Sequence, residues 1–190
     1  VTNASDARIG CCAEDGNAVM AGTSTDGGRN WTKFASLPTP PGTKADDPWR
    51  MSFGTIAVSS GDPRNIVWAP TDDRQPFYTT DGGRSWLPVR LPGADGNAPG
   101  SFRAHWLQRK TLTADKAVSG TFYMVHSGGG ANAGLLGLWR TRDGGANWDR
   151  VFDGEIAPAS DMAAKLRAVP GKAGHLFFTS AVADGGMGLR

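Results

Sequence analysis

The segment Ala45-Asp46-Asp47-Pro48-Trp49-Arg50 brings two carboxylates, an indole and a guanidinium into one short stretch of chain. An indole face stacks on the apolar face of a pyranose, while carboxylates and guanidinium groups hydrogen-bond hydroxyls, so Asp46, Asp47, Trp49 and Arg50 read as a ligand-contacting loop. The competing reading is a solvated loop anchored by Trp49. Asp46 and Asp47 do not form a paired acid and base, because adjacent side chains on extended backbone point apart. A second candidate lies in Phe102-Arg103-Ala104-His105-Trp106. Strand alternation puts Phe102, Ala104 and Trp106 on one face, suited to core packing, and Arg103 with His105 on the other, where they reach a ligand or simply face water.

Other chemistries have little support. His126 and His175 lack metal-ligand spacing, and Cys11 and Cys12 are adjacent, so they cannot form a disulfide framework. They read as two reduced thiols in a strand, with a vicinal redox pair or metal site as the alternative. Of four Asp-Gly-Gly segments, the three followed by a tryptophan each offer one carboxylate, too few oxygens for calcium. No Ser-His-Asp set, phosphate loop or dinucleotide fingerprint is present. The sequence therefore gives no catalytic residue, no metal ligand and no cofactor.

Twenty basic and 18 acidic residues leave a net charge of +2. They are dispersed rather than gathered into the basic stripe that a phosphate backbone requires, which argues against nucleic acid. No run approaches the roughly 18 apolar residues of a membrane-spanning helix, so no membrane partner is expected. The first residues lack the basic and apolar regions of a signal peptide.

The elements that must position any site are set by a repeat. Ser24-Thr25-Asp26-Gly27-Gly28-Arg29-Asn30-Trp31 recurs as Thr79 to Trp86 and as Thr141 to Trp148, with the aspartates 55 and 62 residues apart. The octet has hairpin chemistry: Asp accepts from nearby backbone N–H groups, Gly-Gly adopts positive φ, and Trp packs beneath the turn. Asp26, Gly28, Trp31, Asp81, Gly83, Trp86, Asp143, Gly145 and Trp148 are thus predicted to be structural.

Strand-like runs accompany each octet. In the second unit they are Thr55 to Val58, Asn65 to Ala69, Pro76 to Thr79 and Ser85 to Val89; in the third, Phe102 to Leu107, Gly120 to His126, Leu138 to Thr141 and Asn147 to Phe152. With 27 glycines, 12 prolines and seven tryptophans, the chain is predicted to be all-β. It reads as a β-propeller fragment of about three to four four-stranded blades. The expected divisions of this single partial propeller are 1-50 for an incomplete first blade, 51-100 for the second, 101-158 for the third and 159-190 for the start of a fourth. Propellers close with about four to eight blades, so three and a half units predict a truncated or excised piece, or one whose missing blades come from a parent chain or another copy.

The octets resemble the Asp-box, or BNR, pattern Ser-x-Asp-x-Gly-x-x-Trp of sialidases, sortilin-type receptors and several glycoside hydrolases. The flanks narrow this. Gly54-Thr55-Ile56-Ala57-Val58-Ser59, then Val67-Trp68-Ala69-Pro70 and an octet, resembles the second propeller of glycoside hydrolase family 74. Leu166-Arg167-Ala168-Val169-Pro170-Gly171-Lys172 does so too, as do Asp115-Lys116-Ala117 and Gly120-Thr121-Phe122-Tyr123. The resemblance implies a secreted, xyloglucanase-like enzyme degrading a β-1,4-glucan, with two catalytic aspartates. On that analogy both lie outside this chain, which would be inactive alone. The alternative is a non-catalytic propeller module binding glycans or proteins.

Overall fold

The computed structural model describes residues 22–36, 38, 55–69, 75–93, 111–126, 128, 130–154, 156 and 164–179. Among the described residues twelve strands run in chain order: β1 Gly22–Thr23, β2 Thr32–Lys33, β3 Thr55–Val58, β4 Ile66–Ala69, β5 Phe77–Thr79, β6 Leu87–Pro88, β7 Leu112–Ala114, β8 Phe122–His126, β9 Gly137–Thr141, β10 Asp149–Phe152, β11 Lys165–Ala168 and β12 Leu176–Thr179. A single 3-10 turn, Gly130–Leu135, is the only helical element among the described residues. Branched and aromatic residues dominate the strands, and positive-φ glycines punctuate the turns.

These strands make two complete antiparallel meanders, β3-β4-β5-β6 and β7-β8-β9-β10, flanked in sequence by two-stranded ribbons β1-β2 and β11-β12. Each complete sheet is a four-stranded blade, and the fold is an all-β run of propeller-type blades. The register repeats as well. Ile66 pairs with Val58 and Thr79, while Phe122 pairs with Ala114 and Thr141 at the corresponding place in the next blade. Leu176 pairs with Ala168 at the same point of the last ribbon.

The hairpin joining the first two strands of each blade closes in the same way. Ser59 donates its N–H to the Asn65 carbonyl, Asp115 to that of Thr121 and Val169 to that of His175, all at 2.9 Å. In the third unit the strand beside β8 is Leu112–Ala114 rather than the Phe102 to Leu107 run, which lies outside the described residues. The 3-10 turn lengthens the β8 to β9 connection and accounts for most of the wider spacing between the second and third octets.

Consecutive blades stack through their first strands, β3 against β7 and β7 against β11. The main core lies between the two complete blades, where Ala57, Val67, Val89 and Leu91 meet Leu112, Phe122, Met124 and Trp148. A smaller cluster joins Tyr123 and Val125 to Ala164 and Leu166. Val67 thus faces the following blade, Phe122 and Met124 face the preceding one, and Tyr123 faces onward. Side chains alternate between the two neighbours as strand geometry requires.

Candidate functional site

The octet corners are built alike at all three positions. Each begins with a hydroxyl, Ser24, Thr79 or Thr141, that donates to Oδ1 of its aspartate at 2.8, 2.7 and 2.8 Å. The hydroxyl oxygen in turn accepts the backbone N–H of the second glycine, Gly28, Gly83 or Gly145, at 2.8, 3.0 and 3.1 Å. Oδ1 also accepts the N–H of Asn30, Ser85 or Asn147 at 2.9, 3.0 and 2.9 Å. Oδ2 takes the side chain of that residue at 2.6 Å each time. Both oxygens of every octet carboxylate are therefore engaged within its own turn.

That engagement stabilises the ionised form. The backbone and side chain of Asn30, with Ser24, hold Asp26 down at about 2 from an ordinary 3.8. Asp81 is lowered further by the Ser85 side chain and backbone, then Thr79. Asp143 is partly desolvated, which acts to raise it, yet the Asn147 and Thr141 hydrogen bonds prevail and lower it. Carboxylates so committed to local donors are poor proton donors near neutrality.

The tryptophans close the corners differently. Trp31 and Trp148 donate their indole N–H to the carbonyls of Gly28 and Gly145 at 3.0 and 2.8 Å. Trp86 instead packs edge-on against Phe34 of the preceding unit and Trp68 of its own β4, with ring centroids 5.6 and 6.4 Å away. Trp68 and Trp139 are buried within the blades, and Trp139 donates to the Leu135 carbonyl at 2.8 Å.

A second polar arrangement, which the sequence reading missed as a unit, ties neighbouring blades together. Asp115 accepts the N–H groups of Ala117 and Val118 on Oδ1, and Tyr123 Oη and the Gly174 N–H on Oδ2. Burial acts to raise this carboxyl, but the Gly174, Ala117 and Val118 donors outweigh it and the net shift is downward. Burial, then the Asp115 charge, push Tyr123 up. Ser59 Oγ similarly accepts the Gly120 N–H at 2.9 Å and meets Ser119 Oγ at 3.1 Å. The available signal was the Ser59/Asp115 position one residue after each first strand.

A cavity of about 500 Å³ lies between the β1-β2 hairpin and the second blade, lined by Gly28, Trp31 and Phe34 of the first unit and by Ile56, Val58 and Ile66 of the second. Its walls are largely apolar. The loop candidates Asp46, Asp47, Trp49 and Arg50, and the pair Arg103 and His105, lie outside the described residues, as do Cys11 and Cys12. His126 is buried and accepts the Gly128 N–H on Nδ1. Exposed His175 stacks on Phe177 at 5.4 Å. Among the described residues no group of three or more His, Cys, Asp or Glu side chains could hold a metal ion, and no helix is long and apolar enough to cross a membrane.

No protein-family model matches the chain. A xyloglucanase from a Paenibacillus species is 28% identical over 205 residues, covering 93% of this chain and 19% of that protein. Xyloglucanase Xgh74A of Acetivibrio thermocellus is 26% identical over 164 residues, covering 86% of this chain and 15% of that protein. Among solved structures, an ancestral GH74 enzyme has a TM-score of 0.48 at 21% identity, covering 90% of this chain and 21% of that one. The GH74 enzyme of Niastella koreensis has a TM-score of 0.46 at 16% identity, covering 67% and 19%. The chain spans less than a fifth of the length of these two xyloglucanases, to which it is similar in sequence over most of its own length.

Proposed function

We propose that this chain is one section of a secreted polysaccharide-degrading glycoside hydrolase that acts on xyloglucan or a related β-1,4-glucan. The observation that carries the reading is 28% identity to a xyloglucanase over 93% of the chain, the two octet-bearing blades included. The chain's part is to bind and align the glucan, with the acid and base aspartates supplied from outside it. Supporting this division of labour, the octet carboxylates are taken up by their own turns. In the proposed loop Trp49 stacks on a sugar ring while Asp46, Asp47 and Arg50 bond hydroxyls, with Arg103 and His105 as further contacts. The octets act as Asp-box corners that hold the blades supporting those loops.

The test is affinity electrophoresis and calorimetry of the chain with xyloglucan oligosaccharides and cello-oligosaccharides, alongside a reducing-sugar assay. The expected result is saturable binding, at least about tenfold weaker in Trp49→Ala with an unchanged fold, and no sugar release; a tenfold change corresponds to about 1.4 kcal/mol. Absence of binding to every β-glucan tested would overturn the reading. Unchanged affinity in Trp49→Ala would remove the loop assignment alone.

A further inference from the structure

We infer that Asp153–Gly154 is a site of spontaneous covalent modification, where the backbone closes to a succinimide and reopens as isoaspartate, and that the octets shield their own Asp–Gly bonds from the same reaction. The chain holds seven Asp–Gly bonds, of which four lie among the described residues: Asp26–Gly27, Asp81–Gly82, Asp143–Gly144 and Asp153–Gly154. Glycine after aspartate favours this chemistry, because no Cβ obstructs the approach of its nitrogen to the side-chain carbonyl carbon. The glycine nitrogen gives up its proton and attacks Cγ of the protonated carboxyl; the Cγ–OH bond breaks, water leaves and a five-membered ring closes. Water then adds to either ring carbonyl. Opening the nitrogen–Cγ bond restores aspartate, whereas opening the bond to the main-chain carbonyl carbon routes the backbone through the side chain as isoaspartate. Composition is the same before and after, and water is the only co-reactant.

The reaction needs a glycine nitrogen free of other bonds and a carboxyl free to turn onto it. The second and third octets deny both. Asp81 and Asp143 take the octet hydroxyl at 2.7 and 2.8 Å, a backbone N–H at 3.0 and 2.9 Å, and the side chain of Ser85 or Asn147 at 2.6 Å. These donors favour the ionised carboxylate, which is a poor electrophile, and both folded pKa values are lowered. The glycine nitrogens are bound as well, Gly82 to the Arg64 carbonyl and Gly144 to that of Gly120, both at 2.9 Å. Asp26 is held by the same set of carboxylate bonds.

Asp153 differs from all three. It is exposed, it directly follows β10, and among the described residues neither its carboxylate nor the Gly154 N–H has a hydrogen-bond partner. Isoaspartate there adds one methylene to the main chain just past Phe152, which pairs with Leu138 at the edge of the third blade. The lesion thus falls in the connection from β10 to β11 and leaves the ladders on both sides in place.

Tryptic mapping of the intact chain, aged in warm neutral buffer made with oxygen-18 water, tests the inference. Each passage through the ring adds one heavy oxygen, and isoaspartate is told from aspartate by retention and fragmentation. The peptide Val151 to Lys165 is expected to gain label and a second isomer at Asp153. Its rate should exceed that of the peptides carrying Asp81 and Asp143 at least about tenfold, since lowering a carboxyl pKa by one unit alone cuts the protonated fraction about that much. Asp153→Glu, on an exposed side chain, should abolish the reaction because the larger ring closes far more slowly. In concentrated urea the three sites should converge, as the octet bonds are lost with the fold. Equal rates at the three sites in the folded chain, label at Asp161 instead of Asp153, or an order that survives in urea would overturn the inference. No glycan enters the experiment, so this inference and the functional proposal fail separately.

Discussion

Asn65 and Gly144 are 79 residues apart in the chain, and the side-chain amide of the first donates to the carbonyl of the second at 2.8 Å. The same nitrogen donates to the Thr79 carbonyl at 3.0 Å. One buried amide thus joins the hairpin turn of the second blade, its own octet and the octet of the third. Three backbone segments are fixed relative to one another by a side chain 5% exposed.

Asn65→Ala should therefore destabilise more than its size suggests. It removes two donors and leaves two carbonyls short of partners, at about 1 to 3 kcal/mol for each buried group left unsatisfied. The expected total is about 2 to 6 kcal/mol in urea unfolding. Asn65→Asp should be at least as damaging, because it presents acceptors to acceptors. A loss below about 1 kcal/mol in both variants would show that the link contributes nothing to blade stacking.

The second glycine of the octet answers to packing as well as to turn geometry. Gly145 has φ +113, and a Cβ there would sit 2.7 Å from Tyr78 Cβ of the preceding blade. Gly27 has φ +76 with nothing within 4 Å. Gly27→Ala should then cost only the left-handed backbone, about 1 to 2 kcal/mol. Gly145→Ala should add overpacking of about 1 to 3 kcal/mol. Equal losses in thermal unfolding would remove Tyr78 from the account.

What could be read from the sequence was the local chemistry. Asp, Gly-Gly and Trp at fixed offsets announce a hairpin because every partner lies within the octet, and Thr55 to Val58 announces a strand by its β-branched run. The strand Leu112–Ala114 was missed because three residues with a central Thr carry no period; pairing with Phe122–Met124 and the Asp115 turn define it. Contacts between blades were equally hidden. Nothing in the order of residues says that Asn65 reaches Gly144, or that Phe34 rather than Gly83 receives the Trp86 ring. Alternation separated Arg103 and His105 from their neighbours, but both they and the Asp46 to Arg50 loop lie outside the described residues.

Acid should loosen the corners in a definite window. The folded pKa values of Asp26, Asp81 and Asp143 all lie below the ordinary carboxylate value. A depressed folded pKa gives stability that is complete above the unfolded value, near 3.8, and is lost as pH falls through the folded value, about 2 for Asp26. The melting temperature should be flat above about pH 5 and fall steadily below about pH 4. Asp143→Asn should lower the plateau and make the acid limb shallower, because its amide cannot accept from both Asn147 groups. An acid limb of the same steepness in that variant would place the titration elsewhere.

The tryptophans of two octets should respond differently to the same substitution. Trp148 is 2% exposed and its indole N–H meets the Gly145 carbonyl at 2.8 Å, whereas the buried Nε1 of Trp86 has no partner among the described residues. Trp148→Phe removes ring volume and a hydrogen bond and leaves a carbonyl unpaired. Trp86→Phe removes comparable volume but relieves an unpaired donor, and Phe can keep the edge-on contacts with Phe34 and Trp68. An unsatisfied buried N–H costs about 1 to 3 kcal/mol, which offsets part of the lost packing. Trp86→Phe should therefore be the milder change by about 1 to 2 kcal/mol in denaturant unfolding. If Trp86→Phe proved the more damaging of the two, its indole nitrogen must be hydrogen-bonded in solution and the difference between the corners would vanish.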